Sequence, residues 1–137
     1  MTGSPLPGDV AAETAATTRR ILLVEDEPAV RILFGQALRR AGYTVIEARN
    51  GAEAIELFEA AAGDIDLLIT DVRMPFLGGS ELADTLASRR VGLRTLFVSG
   101  YAAALELGPN AMLLQKPFVR ADLLQAVQSM LDRPAAN

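Results

Sequence analysis

The feature that most constrains this chain is a repeating alternation between short apolar runs and segments with helical spacing. The runs are RILLVE (20–25), YTVIEA (43–48), IDLLIT (65–70), LRTLFVS (93–99) and AMLLQ (111–115). Between and after them lie AVRILFGQALRRAG (29–42), GAEAIELFEAAAG (51–63), SELADTLASRR (80–90) and VRADLLQAVQSMLDR (119–133). In the first of these, Val30, Leu33, Phe34, Ala37 and Leu38 form one apolar stripe, and Gly42 gives a stop. In the second, Ala54, Ile55, Leu57 and Phe58 face inward. Strands that read as unbroken apolar runs are buried on both faces, and strands alternating with helices pair in parallel. The expected fold class is therefore α/β: a five-stranded parallel sheet with helices on both faces.

At 137 residues the chain is long enough for one domain, and half of it is apolar, enough for one core. Residues 1–18, MTGSPLPGDVAAETAATT, lack apolar periodicity and are expected to be a disordered leader or linker. The domain is expected over 19–133, with 134–137 as a tail. A net charge of −4 and a pI near 4.8 argue against a nucleic-acid surface. No apolar stretch approaches 18 residues and no signal peptide is recognisable, so a cytoplasmic protein without membrane insertion is expected. There is no cysteine and no histidine. Thiolate sites, imidazole bases and a phosphohistidine of the chain's own are all excluded.

The apolar runs end in chemistry. ILLV is followed by Glu25, Asp26 and Glu27, LLIT by Asp71, TLFV by Ser99, and MLLQ by Lys116, the single lysine among thirteen basic residues. In open parallel sheets the site lies outside the carboxyl ends of the strands, at the point where strand order reverses. YTVIEA differs, with Glu47 inside it and no clear polar terminus, which fits a strand nearer the sheet edge. Taken singly, an Asp after a strand is a turn former and a lone Lys is a solvated charge; their joint occurrence is the signal. Two carboxylates about 4 Å apart repel by on the order of 4 kcal/mol at an effective dielectric of about 20. A carboxylate cluster without His or Cys is a hard oxygen site suited to Mg²⁺. Lysine, a compact charge on a flexible stem, suits a cation that must shift between a carboxylate and a phosphoryl oxygen.

With these residues assembled, the sequence resembles the receiver domain of two-component response regulators, from about Arg20 to Asp132. ILLVEDEPAVR resembles the family's acidic-pair strand and first helix, DLLITDVRMPFLGGSEL its phosphoacceptor strand and loop, LFVSGYA its hydroxyl strand, and LLQKPF its Lys-Pro-Phe signature. The resemblance implies a flavodoxin-like (CheY-like) fold. It implies that Asp71 is the phosphoacceptor nucleophile, that Asp26 is a direct Mg²⁺ ligand and that Glu25 acts mainly through water. It further implies that the backbone carbonyl of Arg73 completes the metal site and that Ser99 moves to hydrogen-bond the acyl phosphate. Lys116 would pair with a phosphoryl oxygen, and the Lys116–Pro117 peptide would be cis. With no histidine in the chain, the donor would be a partner histidine kinase or histidine phosphotransfer protein, and a downstream protein target would read the result.

The chain departs from that family in two places. Leu113 stands where an aromatic residue is usual, three positions before the lysine. Ser99 and Lys116 are 17 positions apart, several fewer than usual, so the fourth of five helices is expected to be short or irregular. The SGY after the strand gives a partial resemblance to receivers of the FAT GUY type, and to those attached to hybrid kinases. Arg73 and Tyr101 are expected to flank the phosphoryl position, where their contact would form a lid against water. Other classes fit less well. A haloacid dehalogenase-like phosphatase needs a second Asp where this chain has Arg73, and EDEP would repel the phosphate of a flavin mononucleotide. A pseudo-receiver that never takes phosphate is the main rival, although such proteins typically lose an acid or the lysine, and both are kept here.

Overall fold

A computed structural model describes residues 18–100 and 107–132. Along the chain run β1 (Arg20–Val24), α1 (Pro28–Arg40), β2 (Thr44–Ala48), α2 (Gly51–Ala60), β3 (Leu67–Asp71), α3 (Gly79–Ala87), β4 (Arg94–Ser99), β5 (Ala111–Gln115) and α4 (Arg120–Asp132). The five strands form one sheet in the order β2-β1-β3-β4-β5, every pair parallel. Strand order reverses beside β1, which places the crevice of this architecture between β1 and β3. YTVIEA is an edge strand, as its interrupted pattern implies.

Successive strand residues point to opposite faces, so each apolar run supplies two cores. Ile21, Leu23, Leu67, Ile69, Leu96 and Val98 face α1 and α4, where they meet Leu38, Leu123, Val127 and Met130. Leu22, Val24, Leu68 and Phe97 face α2 and α3, where they meet Ala54, Phe58, Leu82 and Leu86. Burying each large apolar side chain stabilises by about 1.5–3 kcal/mol. This double coverage holds the strand ends in place.

Helix α1 buries a narrower stripe than its spacing predicts. Gly35, Ala37 and Leu38 are buried, but Leu33, expected inside, is 62% exposed. Helix α2 is capped by Asn50, whose side-chain oxygen accepts a hydrogen bond from the Glu53 N–H at 2.8 Å, while the Glu53 carboxylate accepts one from the Arg49 N–H at 2.7 Å. Asn50→Ala is expected to lower unfolding free energy by about 1 kcal/mol, read from the urea midpoint.

The expected leader lies almost wholly outside the described residues, and Tyr101 and the expected tail lie fully outside them. So does most of the connection in which a short fourth helix is expected; Leu107–Asn110, its described end, holds a turn and no helix. Among the described residues no helix is long and apolar enough to cross a membrane.

Candidate functional site

Strand register brings the polar strand ends to one level. Val24 stands opposite Thr70, Asp71 opposite Val98, and Ser99 opposite Gln115. Two backbone hydrogen bonds extend the ladder beyond the strand ends, from Glu25 N–H to the Ala48 carbonyl at 3.1 Å and from Lys116 N–H to the Ser99 carbonyl at 2.7 Å. Glu25, Asp71, Ser99 and Lys116 therefore share the carboxyl edge of the sheet. The Lys116–Pro117 peptide is cis.

Lys116 is the cation of this edge. Its Nζ donates to Asp71 Oδ2 at 3.1 Å and lies 3.7 Å from Glu25 Oε1. The other Asp71 oxygen, Oδ1, accepts from the Arg73 N–H at 3.0 Å. Both oxygens of that carboxylate are thus held, and its plane is fixed. Glu25 is only 2% exposed. Its Oε2 accepts from the Glu27 N–H at 3.1 Å, but among the described residues its buried Oε1 accepts no hydrogen bond. Asp26 is exposed and completes the group: one carboxylate oxygen from each of Glu25, Asp26 and Asp71 lies within 4.8 Å of the others. Glu27 is not part of it; exposed, it precedes α1 and its carbonyl accepts from the Arg31 N–H at 2.9 Å.

The electrostatics follow from this packing. Burial pushes the Glu25 carboxyl above its ordinary value; the Glu27 N–H and the Lys116 charge pull it back, while Asp71 pushes it further up. Burial alone would lower the Lys116 ammonium, but the hydrogen bond to Asp71 and the charges of Glu25 and Asp71 outweigh it, so the ammonium is held above its ordinary value. Three hard oxygen donors, one of them buried and lacking a hydrogen bond, fit a small divalent cation such as Mg²⁺.

Ser99 is buried at the end of β4. Leu113 stands opposite Phe97 and packs against the α2/α3 core, so that position serves as apolar filling. Arg73 is exposed, and Tyr101, its expected lid partner, lies outside the described residues.

Three features at the site escape sequence reasoning. Gly79 opens α3 so close to β3 that an added Cβ would lie 2.2 Å from the Asp71 carbonyl oxygen; the Gly78-Gly79 pair was its only signal. Arg31, one turn into α1, donates from NH1 to the Glu25 carbonyl at 2.9 Å. Phe76, in the loop after Asp71, has φ 71° and is fully exposed. The Leu77 N–H donates to the Pro75 carbonyl at 2.8 Å, closing a γ-turn with Phe76 at its centre, a rare and strained form for a residue with a Cβ. Phe76→Gly is expected to raise unfolding free energy by about 1 kcal/mol, because strain is relieved and no buried contact is lost. A lower urea midpoint for that variant would contradict the strain.

Comparisons with known proteins show the family of the chain. The sequence model described as "Response regulator receiver domain" matches residues 21–128. The chain is 41% identical over 118 residues to the sensor kinase CckA of Brucella abortus, covering 82% of this chain but 12% of that protein. It is 37% identical over 119 residues to the response regulator receiver protein CpdR of the same organism, covering 82% of this chain and 97% of that one. It thus spans nearly all of one relative and about an eighth of the other. Among solved structures, the response regulator protein TrrA from Thermotoga maritima, in complex with Mg²⁺-BeF, superposes with a TM-score of 0.73 at 30% identity, covering 83% of this chain and 100% of that one. A parallel sheet in this strand order, with these residues at its carboxyl edge and these relatives, shows that the chain belongs to the response regulator receiver domain family of two-component signalling.

Proposed function

We propose that the chain is a phosphorylation-dependent switch in which Asp71 accepts a phosphoryl group from a partner histidine kinase or histidine phosphotransfer protein in a Mg²⁺-dependent reaction. The observation that carries this reading is the pairing of Lys116 Nζ with Asp71 Oδ2 at 3.1 Å, beside two further carboxylates at the same sheet edge. One Asp71 oxygen attacks phosphorus, a new P–O bond forms, and the P–N bond to the donor imidazole breaks. With acetyl phosphate as donor, the bond to the acyl oxygen breaks and acetate leaves. Such transfer needs alignment and charge neutralisation more than covalent help.

Each residue then has a task. The Arg73 N–H and Lys116 orient the Asp71 carboxylate. Glu25, Asp26, Asp71 and the Arg73 carbonyl would hold Mg²⁺, with Glu25 acting mainly through water; the ion supplies the charge that lets an anionic carboxylate meet an anionic donor. Lys116 turns from Asp71 to a phosphoryl oxygen in the product. Ser99 moves toward the phosphoryl group, and the state in which it has done so binds a downstream protein differently. The phosphoryl group shifts that equilibrium only by its differential contacts with the two states. The setting is cytoplasmic.

Intact mass after incubation with acetyl phosphate tests the reading. One added phosphoryl group, present with Mg²⁺ and absent after chelation, is the expected result. No addition from acetyl phosphate or from a phosphohistidine donor would overturn it in favour of a phosphorylation-independent interaction module.

A further inference from the structure

Glu47 has no place in the chemistry above, yet it is a charged residue within strand β2, one position before its end. Its surroundings are built for it. Oε1 lies 3.5 Å from Arg31 Nε, and Oε2 accepts from Arg39 NH1 at 2.7 Å. Arg39 NH2 also donates to the Val45 carbonyl at 3.1 Å, which ties it to the same strand. Gly35 leaves the room: a Cβ there would lie 2.6 Å from Glu47 Oε2. The Arg31 side chain is only 13% exposed and Glu47 23%, so this is not a solvated surface pair.

The far end of Arg31 reaches the functional edge. Its NH1 donates to the carbonyl of Glu25 at 2.9 Å, and that carbonyl belongs to the peptide leading into Asp26. One guanidinium therefore spans from an edge strand to the peptide between two candidate metal ligands. Helix α1 carries Arg31, so a single side chain ties together α1, β2 and the end of β1.

We propose that Arg31, braced by Glu47, is a positioning residue for the divalent-cation site: it fixes the Glu25–Asp26 peptide so that the Asp26 carboxylate stays within reach of Glu25 and Asp71. Asp26 is exposed and no described side chain of opposite charge is paired with it, so its backbone is what locates it. Planar geometry explains the choice of arginine. A guanidinium donates in two directions at once, whereas a lysine ammonium on the same stem cannot bridge a carbonyl and a carboxylate in a fixed plane. This inference rests on the cation site proposed above.

Two measurements on the full chain test it. The first is Mg²⁺ titration by calorimetry of the parent, Arg31→Met, Arg31→Lys and Glu47→Gln. The second is amide hydrogen exchange at Asp26 and Glu27 in metal-free protein. Arg31→Met is expected to weaken Mg²⁺ binding about tenfold, the loss typical when a group orienting a metal ligand is removed. Arg31→Lys is expected not to restore it, Glu47→Gln to fall between, and exchange at Glu27, whose N–H donates to Glu25 Oε2, to quicken in Arg31→Met. Asn50→Ala, on another helix, controls for general loss of stability and is expected to bind as the parent does. Binding by Arg31→Met within about twofold of the parent, with unchanged Glu27 exchange, would overturn the brace. A parent that binds no Mg²⁺ would overturn the cation site itself, and the metal-free exchange separates that failure from a failure of the brace.

Discussion

Asp71→Asn is expected to take no phosphoryl group from acetyl phosphate in the presence of Mg²⁺, and to unfold at an equal or higher urea concentration than the parent. The two halves of this result have one cause. An amide is nearly isosteric with a carboxylate, and its single oxygen can still accept from the Arg73 N–H, so the loop geometry survives; the amide nitrogen is a donor and releases Lys116. It lacks the anionic oxygen that attacks phosphorus. Its neutrality also removes one of three carboxylates whose oxygens lie within 4.8 Å of one another, and with it the charge that pushes buried Glu25 upward. Lys116 remains to pair with Glu25, so the relief is on the order of 1 kcal/mol after screening. A variant that loses phosphorylation and stability together would instead indicate damage to the fold, and Asp71 would not be established as the acceptor. Retained phosphorylation would move the acceptor elsewhere.

Gly79→Ala is expected to cost about 3 kcal/mol in unfolding free energy and to slow phosphorylation as well. The added methyl would lie 2.2 Å from the Asp71 carbonyl oxygen and 3.0 Å from its carbonyl carbon. These are backbone atoms and cannot swing aside as a flexible side chain can. The start of α3 must withdraw or the end of β3 must shift, and either change strains the hydrogen bond from the Gly79 N–H to the Val72 carbonyl at 3.0 Å. The residue displaced is the proposed acceptor itself, so stability and chemistry are expected to fall together. Gly78→Ala is the internal control: its Cβ would come no nearer than 3.4 Å to any atom, and its cost is expected to stay within about 0.5 kcal/mol. Equal urea midpoints for the two variants would refute the clash.

The sheet was legible because burial on both faces writes each strand as an unbroken apolar run, and a parallel arrangement puts all the strand ends on one side. The positions of Glu25, Asp71, Ser99 and Lys116 were legible for the same reason: a polar residue closing an apolar run marks an edge in one dimension. Contacts made across elements left no such mark. Glu47 marked an edge strand, but its partners Arg31 and Arg39, both on α1, left no sign in the sequence. Leu33 fits the apolar spacing of its helix, but the buried face there turns toward Gly35, a residue no hydropathy pattern counts as core. The cost of a Cβ at Gly79 depends on how near α3 comes to β3, a distance that spacing does not encode.

The two cores on either side of the sheet share strands but not side chains. Substitutions in α1 or α4 act on one, and those in α2 or α3 on the other, and changes without shared contacts combine nearly additively. The two sides can therefore be rewritten independently in evolution or in a library. A new surface on α2 and α3 needs no matching change under α1 and α4, provided the alternation along the five strands is kept. The carboxyl edge, to which both sides contribute, is the region where that independence ends.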